Sequence, residues 1–470
     1  MNDEPNPYGD LEKIDVPWQD TKPTHWQVRR IKSLFRERSR TGFPQEPLLA
    51  ATQSMGVVRK DRYAVRTVTA EKGLHLLKLA KPGDFVISLR SFQGGIELCH
   101  DQGIISPAYT VLEPIDSSFG DFYSIFFKSR PFVAGLTLFI TGIRDGQNIN
   151  YAKLSRSHIA LPPSDEQRAI VKYVRHIERE IGAAIRAKRQ LVTLLTEQKH
   201  AIVHQVVTRG LIPSTEVKET GSPWIATIPA RWTMAPIKRL LQKIEYGTSQ
   251  SPEGYGPIRI LTMGNVRNGK VNVPEFGNSI AVPPGLTLCH NDLLFNRTNS
   301  PDLVGKTGIY DGPDDATISF ASYLVRLRVR QEYCAQWLNY VLNSPLFWAY
   351  ARGHALLSLH QANLNPSRYG QLAIPLPPKE EQEEIARYLH RRESEIDAVI
   401  HRTEREISLL HEYQIRLTAD VITGKLDVRA AAALLPDVDP HDPRLATAHD
   451  VDEDGLNGDL DGNDPNEEPM

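Results

Sequence analysis

Apolar residues recur at alternating steps of four and three over two long stretches of the chain, residues 164–208 and 379–423. In the first stretch they fall at positions 170, 174, 177, 181, 184, 191, 195 and 202. This is the period of an amphipathic helix with a heptad seam. At ~1.5 Å per residue, such a helix is roughly 60 Å long. The pattern predicts two long helices that each need an apolar partner, and the nearest partner is the other helix.

The second stretch carries the same pattern in a weaker form. Its apolar positions are 385, 389, 396, 399, 400, 407, 410, 417 and 421, while Arg392, Thr403 and Glu406 stand on the equivalent seam. Lys188 and Gln198 interrupt the first seam. Both stretches have a proline before the first turn, an acidic pair after it and a glycine near the end. These are typical helix boundaries.

The two stretches belong to an internal repeat. Residues 161–167 (LPPSDEQ) return as residues 376–382 (LPPKEEQ) at an offset of 215. The tryptophan-bearing segment at residues 17–26 returns at residues 223–232 at an offset of 206, so a module in front of each helix repeats as well. Between these anchors the modules differ. An old duplication that drifted and two modules that recognise different things both remain open.

The repeat predicts an α+β fold with two mixed α/β modules, each followed by a long helix, and the two helices paired as an antiparallel coiled coil. A linker of a dozen residues reaches at most ~40 Å, so the second module starts near the far end of the first helix. The expected segments are a frayed N-terminus (1–15), module one (16–162), the first helix (163–210), a linker (211–221), module two (222–377), the second helix (378–424) and an acidic disordered tail (430–470).

Composition is that of an ordinary globular protein. The chain has 470 residues, 40% of them hydrophobic and 24% charged, which is enough for two or three domains. No stretch is apolar enough to cross a membrane, and the N-terminus is not a signal peptide. The three cysteines are far apart, which indicates a reducing compartment and neither a disulfide framework nor a metal site. We therefore predict a cytoplasmic location.

The charge is distributed unevenly. Residues 430–470 hold twelve Asp/Glu and one Arg and carry −11, while the other 429 residues carry +9. A basic body permits nucleic-acid binding. Residues 450–461 resemble a calcium loop, but the apolar residue of its eighth position is replaced by an asparagine and the surrounding composition favours disorder.

In the order of these motifs, residues 18–429 resemble the specificity subunits of Type I restriction–modification enzymes. Besides the twin helix and module starts, the resemblance rests on residues 90–97 (RSFQGGIE), 142–150 (GIRDGQNIN), 295–300 (FNRTNS) and 424–429 (GKLDVR). It implies that the modules are target recognition domains that each read one half of an interrupted DNA site. It also implies that the helices set the spacing and bind methylation subunits. Restriction/translocation subunits are further implied partners, and the partner subunits would bind S-adenosylmethionine, ATP and Mg.

Loop residues with paired donors and acceptors are the candidates for reading double-stranded DNA, since Arg matches guanine and Asn or Gln matches adenine. They are Arg90, Ser91, Gln93, Arg144, Gln147 and Asn148 in module one, and Asn265, Arg267, Asn268, Lys270, Asn296, Arg297, Thr298, Asn299, His360, Gln361 and Asn363 in module two. Our first choices are Arg297 with Asn299 and Arg90 with Gln93. The same strings are also ordinary turn sequences, and Lys or Arg often bind phosphates instead of bases, so these roles stay open.

The helix residues that the resemblance assigns to spacing and subunit docking share one pattern, because each occurs in both copies. They are Glu166, Gln167, Ile170, Tyr173 and Ile181, and then Glu381, Gln382, Ile385, Tyr388 and Ile396.

The sequence shows no evident catalytic set, and we predict a non-catalytic subunit with no cofactor of its own. Residues 305–307 (GKT) end like a phosphate-binding loop, but Ser300 stands where that loop requires glycine. Residues 365–366 (NP) open like an amino-methyltransferase motif, but the proline and aromatic residue do not follow. Two alternatives remain. One is a coiled-coil scaffold that binds proteins and not DNA, and the other is a methyltransferase or nuclease in its own right. Sequence-selective DNA binding distinguishes a specificity subunit from the scaffold. Cofactor binding by the isolated chain would support the methyltransferase or nuclease.

Overall fold

The structure is a computed structural model. It describes residues 5–63, 73–141, 148–212, 216–249, 256–275, 282–283, 285–314, 317–358 and 361–436. The candidates Arg144, Gln147 and His360 lie outside these residues, as does the segment 450–461 that resembles a calcium loop. Within the described part of the chain, no helix has the length and apolar character needed to span a bilayer.

The chain forms two compact units. Unit 1 comprises residues 1–189 and 405–470, and unit 2 comprises residues 190–404. Both units mix helices with short strands, as the α+β prediction requires, and the unit boundaries fall inside the two long helices.

Up to the end of the first long helix, the described residues form short strands, four short α-helices, several single-turn 3-10 helices and the long helix itself. The strands are β1 (Asn6–Pro7), β2 (Leu11–Val16), β3 (Gln19–Pro23), β4 (Gln27–Arg30), β5 (Phe35–Glu37), β6 (Leu49–Thr52), β7 (Gly56–Arg59), β8 (Lys78–Ala80), β9 (Phe85–Ile87), β10 (Glu97–Leu98), β11 (Gly103–Ile105), β12 (Thr110–Pro114), β13 (Ile140–Thr141), β14 (Asn148–Ile149) and β15 (His158–Leu161). The helices are α1 (Ser91–Gly94), α2 (Gly120–Lys128), α3 (Arg130–Leu136), α4 (Tyr151–Leu154) and α5 (Ser164–Arg209).

The remaining elements are again short strands and short helices, together with the second long helix. The strands are β16 (Val217–Ser222), β17 (Ile225–Pro229), β18 (Thr233–Pro236), β19 (Leu241–Tyr246), β20 (Arg259–Leu261), β21 (Val266–Arg267), β22 (Lys270–Val271), β23 (Leu293–Asn296), β24 (Thr298–Asn299), β25 (Thr307–Ile309), β26 (Ile318–Phe320), β27 (Leu324–Val329), β28 (Leu356–Leu357), β29 (Ala362–Asn363), β30 (Ala373–Leu376) and β31 (Leu426–Asp427). The helices are α6 (Ile237–Leu240), α7 (Ala335–Asn343), α8 (Pro345–Arg352), α9 (Pro366–Gln371), α10 (Lys379–Ile422) and α11 (Arg429–Leu434).

Each unit is built on an antiparallel sheet with a fully buried central strand. In unit 1 the strand order is β10-β9-β12-β5, and in unit 2 it is β19-β27-β23-β25-β22-β21, in which only β22 and β25 pair in parallel. The central strands β9 and β23 are apolar because both of their faces are covered. Aromatic side chains fill the core of unit 1, where the rings of Trp18 and Phe132 lie 4.9 Å apart.

The turn before each central strand is closed in the same way. The carboxylate of Asp84 accepts a hydrogen bond from the Lys81 N–H, and that of Asp292 accepts one from the Cys289 N–H. Each carboxylate is buried and also binds an arginine, Arg38 in unit 1 and Arg328 in unit 2. In unit 1 burial outweighs the arginine and raises the pKa of Asp84 above its usual range.

The two long helices end at glycines with positive φ, Gly210 (+78°) and Gly424 (+69°), a backbone conformation that glycine adopts without strain. Within unit 1, the start of α5 shares a core with the end of α10, through Ile170 and Val421 among others. Within unit 2, the end of α5 shares a core with the start of α10 in the same way, through Val207 and Ile385. The polar interruption Lys188 is satisfied by an ion pair with Glu406 at 2.6 Å.

The N-terminus differs from the expected frayed segment. Residues 6–7 form β1 and pair with β31, and the ring of Tyr8 is 8% exposed. The prediction was wrong for these residues because their partner strand lies more than 400 positions away in the sequence. A local pattern cannot reveal such a pairing. Strand β16 likewise occupies half of the expected linker, where it pairs with β17.

Candidate functional site

A buried carboxylate fixes the start of α5 to the module in front of it. Glu166, which is 2% exposed, accepts hydrogen bonds from the Trp26 indole N–H at 2.8 Å and from the Tyr8 hydroxyl. Its other oxygen lies 2.8 Å from Nε2 of His25. Burial and the neighbouring carboxylate raise the pKa of Tyr8, so this hydroxyl stays protonated and donates. We call this set the unit 1 anchor.

The same carboxylate position fixes the start of α10 in unit 2. Glu381 accepts a hydrogen bond from the Trp232 indole N–H at 2.9 Å and forms a bidentate pair with Arg231 at 2.6 and 3.2 Å. This is the unit 2 anchor. The adjacent glutamines, Gln167 and Gln382, each donate from Nε2 to the carbonyl of a proline five residues earlier, both at 2.8 Å.

The end of the other long helix reaches each anchor. A Cβ placed on Gly424 would lie 2.9 Å from the Trp26 ring in unit 1, and one on Gly210 would lie 3.2 Å from the Trp232 ring in unit 2. The LPPxxEQ motif therefore joins the module, the start of one helix and the end of the other within each unit.

The helix residues assigned to subunit docking have inward-facing roles within their units. Most are buried: Glu166, Gln167, Ile170, Tyr173, Ile181, Gln382, Ile385 and Ile396. Glu381 and Tyr388 are partly exposed. Docking by these residues stays a prediction, and their visible function is to hold helix and module together.

In unit 1, the structure brings part of the predicted reading set together. Arg90 and Gln93 are exposed at the single-turn helix α1, which lies against β14 with the exposed Asn148. Ser91 is buried, and its hydroxyl accepts a hydrogen bond from the Ser88 N–H, so its role is local. Arg90, Gln93 and Asn148 therefore form a small polar face. Their guanidinium and amide groups have the donors and acceptors that base edges require.

In unit 2, one group of candidates lies at the β21–β22 hairpin. Its turn residues Asn268 and Gly269 have positive φ, as a tight hairpin requires. Arg267 and Lys270 are exposed beside the turn. The Asn265 side chain is occupied in the preceding turn, where its oxygen accepts a hydrogen bond from the Thr262 N–H at 2.7 Å. The hairpin therefore offers the cations Arg267 and Lys270 together with the exposed amide of Asn268 at its turn.

A second group follows the central strand β23. Strands β24 and β29 pair Thr298 with Asn363, and the Asn363 amide donates to the Thr298 hydroxyl at 3.0 Å. Asn299 caps its own turn by accepting from the Ser300 N–H. Asn296 is 2% exposed, and its side-chain oxygen has no hydrogen-bond partner in the described structure. Gln361 is exposed next to this group.

The Arg297 guanidinium lies over the ring of Tyr246, 5.1 Å from its centroid. Tyr246 is 47% exposed, and the contact holds the long arginine side chain against the surface of the unit. An arginine that is held in place loses less entropy when it forms a bidentate contact. Arg297 therefore has the support that a base-reading arginine needs, and sequence analysis did not identify this tyrosine.

Sequence analysis also missed a cation and aromatic cluster nearby. Lys306 and Arg352 lie 5.1 and 4.5 Å from the ring of Trp348. Asn296 donates its backbone N–H to the Lys306 carbonyl, so this cluster adjoins the second group. The four-residue spacing of Trp348 and Arg352 was a visible signal for a shared helix face, but their contact with Lys306 depends on the tertiary fold.

Comparisons with known proteins agree with the resemblance. No protein-family model matches the chain. It is 25% identical over 200 residues to a Methanocaldococcus jannaschii protein provisionally named the type I restriction enzyme MjaX specificity subunit, covering 40% of this chain and 44% of that protein. It is 24% identical over 281 residues to the type I restriction enzyme MjaVIII specificity subunit of the same organism, covering 58% and 62%. The match thus spans about half the length of these curated relatives.

The fold is similar to that of a solved chain from work on complex assembly and conformational transition of the type I R-M system. The TM-score is 0.64 with 17% identity, and the match covers 86% of this chain and 99% of that chain. The predicted similarity to specificity subunits of Type I restriction–modification enzymes is therefore confirmed.

Proposed function

We propose that this chain is the DNA sequence-specificity subunit of a Type I restriction–modification complex. In this proposal, the module of each unit is a target recognition domain that reads one half of an interrupted site on double-stranded DNA. The observation that carries the proposal is the similarity to two specificity subunits, together with a matching fold. Guanidinium and amide groups in both units, among them the exposed Arg90 and the partly buried Arg297, supply the chemistry that base reading needs.

We further infer that the units are copies of one module and that α5 and α10 pair as an antiparallel coiled coil. Support comes from the equivalent anchors, Glu166 and Glu381, and from the packing of one helix start against the other helix end in each unit. A stiff helix pair would fix the number of unread base pairs between two half-sites, because DNA rises ~3.4 Å per base pair. The exposed surface of the same helices would dock the methylation subunits.

The chain is proposed to be non-catalytic. Its GKT segment at residues 305–307 contributes Lys306 to the stack on Trp348, and residues 365–366 start α9, where the Asn365 side chain caps the helix by accepting from the N–H groups of Ser367 and Arg368. These segments thus have structural roles. S-adenosylmethionine, ATP and Mg would be bound by the methylation and restriction/translocation subunits. The alternative is a coiled-coil scaffold that binds only proteins.

Mapping of DNA methylation tests the proposal directly. The chain is co-expressed with its methylation subunit, and the methylated positions in the host DNA are sequenced. We expect one two-part motif with a fixed gap. Replacing residues 16–150 with those of a relative should change one half of the motif and leave the other unchanged. Co-purification of the two proteins without a motif, and without selective binding of any duplex in vitro, would favour the scaffold.

A further inference from the structure

Unit 1 has a basic pocket where β4 and β15 meet α4. The pocket has a volume of about 310 Å³, and its lining includes Lys153, Arg156 and His158, with Asp15 as the acidic member. Arg30 stands opposite His158 in the β4–β15 ladder and donates from Nε to its ring at 3.4 Å. We call the lining residues Lys153, Arg156 and His158, together with Arg30 that contacts His158, the basic pocket.

The charges of the basic pocket are largely unneutralised. Arg30, Lys153 and Arg156 are all exposed, and within the described residues none of the three forms an ion pair. The Lys153 ammonium group donates a hydrogen bond to the Leu138 carbonyl at 3.1 Å and lies 5.7 Å from the centroid of the Phe139 ring. Neighbouring like charges repel, and among the described residues that line the pocket Asp15 is the single carboxylate. The cations are therefore better explained by an anionic ligand than by stability.

The matching ladder of unit 2 shows that the fold does not need these charges. Strands β18 and β30 pair in the same register as β4 and β15, and Pro236 stands opposite Ala373 where unit 1 has Arg30 and His158. The backbone contact beyond the ladder is equivalent too, with Ile31 N–H donating to the Ser157 carbonyl and Ile237 N–H to that of Leu372.

The short helix next to the ladder also forms in unit 2 without most of these charges. Asn150 caps α4 and Asn365 caps α9, which aligns Lys153 with Arg368 and Arg156 with Gln371. Of the four basic-pocket positions, unit 2 keeps a basic residue only at Arg368. Unit 2 thus forms the same backbone arrangement with one cation at these four positions, and the additional cations occur only in unit 1.

We propose that the basic pocket binds backbone phosphate of double-stranded DNA beside the bases that unit 1 reads. Phosphate contacts contribute affinity and fix the position of a protein on the duplex, but they carry no sequence information directly. A fork of guanidinium groups with a lysine fits phosphate oxygens. This inference rests on the proposed function.

Salt dependence of DNA binding tests the basic pocket. The full chain, in complex with its methylation subunit, is titrated with a short duplex that carries the mapped motif, over a series of salt concentrations. For the double variant Arg30→Ala/Arg156→Ala, we expect the slope of log K against log salt to fall by roughly 0.9 for each phosphate that the variant no longer neutralises. The methylated motif should remain the same. Arg30→Lys/Arg156→Lys retains the charge and should restore most of the slope.

The matched control is Arg59→Ala/Arg62→Ala. It removes the same formal charge from unit 1, but these arginines already form ion pairs with Asp61 and Asp101. The control should bind with a nearly wild-type slope. An equal fall in slope for control and pocket variants would overturn the inference, because net charge alone would then explain the effect.

The remaining outcomes separate the two proposals. If the wild-type complex does not bind the duplex selectively, the proposed function fails. If it does bind, and the pocket variant keeps the wild-type slope, only the basic pocket assignment fails. A chain that ends at residue 436 lacks the acidic residues 437–470. If the pocket variants alter binding only when those residues are present, the pocket binds the acidic segment, and the assignment to DNA phosphate is overturned.

Discussion

The two anchors place a glutamate carboxylate in the same position but surround it with different donors. In unit 1 the carboxylate of Glu166 is buried against Tyr8, His25 and Trp26, and in unit 2 Glu381 is 13% exposed and pairs with an arginine that is 53% exposed. Only the indole donor is common to both. The tryptophan–glutamate contact is therefore the part that joins helix to module, and the other donors reflect how much water reaches each site.

The contact between the central strand's neighbour and a nearby helix also differs between the two units. Strand β9 pairs Val86 with Glu97, and the matching strand β23 pairs Leu294 with Gly308. In unit 1, Lys128 at the end of α2 reaches the Glu97 carboxylate at 2.5 Å. In unit 2, the helix α7 ends at Asn343, whose amide bridges to the backbone of Thr307 at 2.9 and 3.1 Å. An ion pair and an amide bridge thus serve the same helix-to-sheet contact.

Removing the anchor carboxylates should have the largest effect and should distinguish the two units. Glu166→Ala leaves the Trp26 and Tyr8 donors buried without partners, and each such donor costs about 1–3 kcal/mol. Glu381→Ala leaves only the Trp232 indole in that condition, since water can solvate Arg231. We expect unit 1 to lose about 3 kcal/mol and unit 2 about half of that. Hydrogen exchange in urea measures the free energy of unfolding of each unit separately.

The corresponding glutamine variants serve as controls. Glu166→Gln and Glu381→Gln retain an oxygen that can accept from the indole N–H, and they should lose less stability than the alanine variants. Equal losses for Glu166→Ala and Glu381→Ala would mean that exposure does not govern the anchors.

The next effect concerns pH and the Glu97–Lys128 pair. Burial raises the pKa of Glu97 to about 7, although Lys128 acts in the opposite direction. In the unfolded chain the pKa is near 4.5, so the folded unit holds an extra proton between these values. The stability that this proton provides is complete below pH 4.5 and is lost as the pH rises through about 7. The loss reaches at most about 1.4 kcal/mol per pH unit.

Glu97→Gln removes the titrating group while keeping a similar shape. Unit 1 of this variant should show a flatter dependence of unfolding free energy on pH between about 4.5 and 7, whereas unit 2, with Gly308 at the matching position, serves as the internal reference. The same slope in wild type and variant would exclude Glu97 as its source.

The repeated elements explain what could be predicted from the sequence. The long helices were evident because their period is local, and the anchors Trp26 and Trp232 stood out because they repeat at a fixed offset. Strand β1 was missed because its partner β31 lies at the far end of the sequence. The support of Arg297 by Tyr246 was missed for the same reason, since Tyr246 and Arg297 meet only through the tertiary fold. Local patterns thus identified the scaffold, while the candidate reading surfaces depend on contacts between distant loops.

The smallest effects are expected at the ion pairs between the long helices. Lys188 pairs with Glu406 at 2.6 Å in unit 1, and Lys199 pairs with Asp397 at 2.8 Å in unit 2. All four groups are partly exposed, so a double-mutant cycle should give about 0.5 kcal/mol per pair, decreasing with added salt. A coupling of several kcal/mol at Lys188 alone would mean that this polar pair determines the register of the helices. That role would again set unit 1 apart from unit 2.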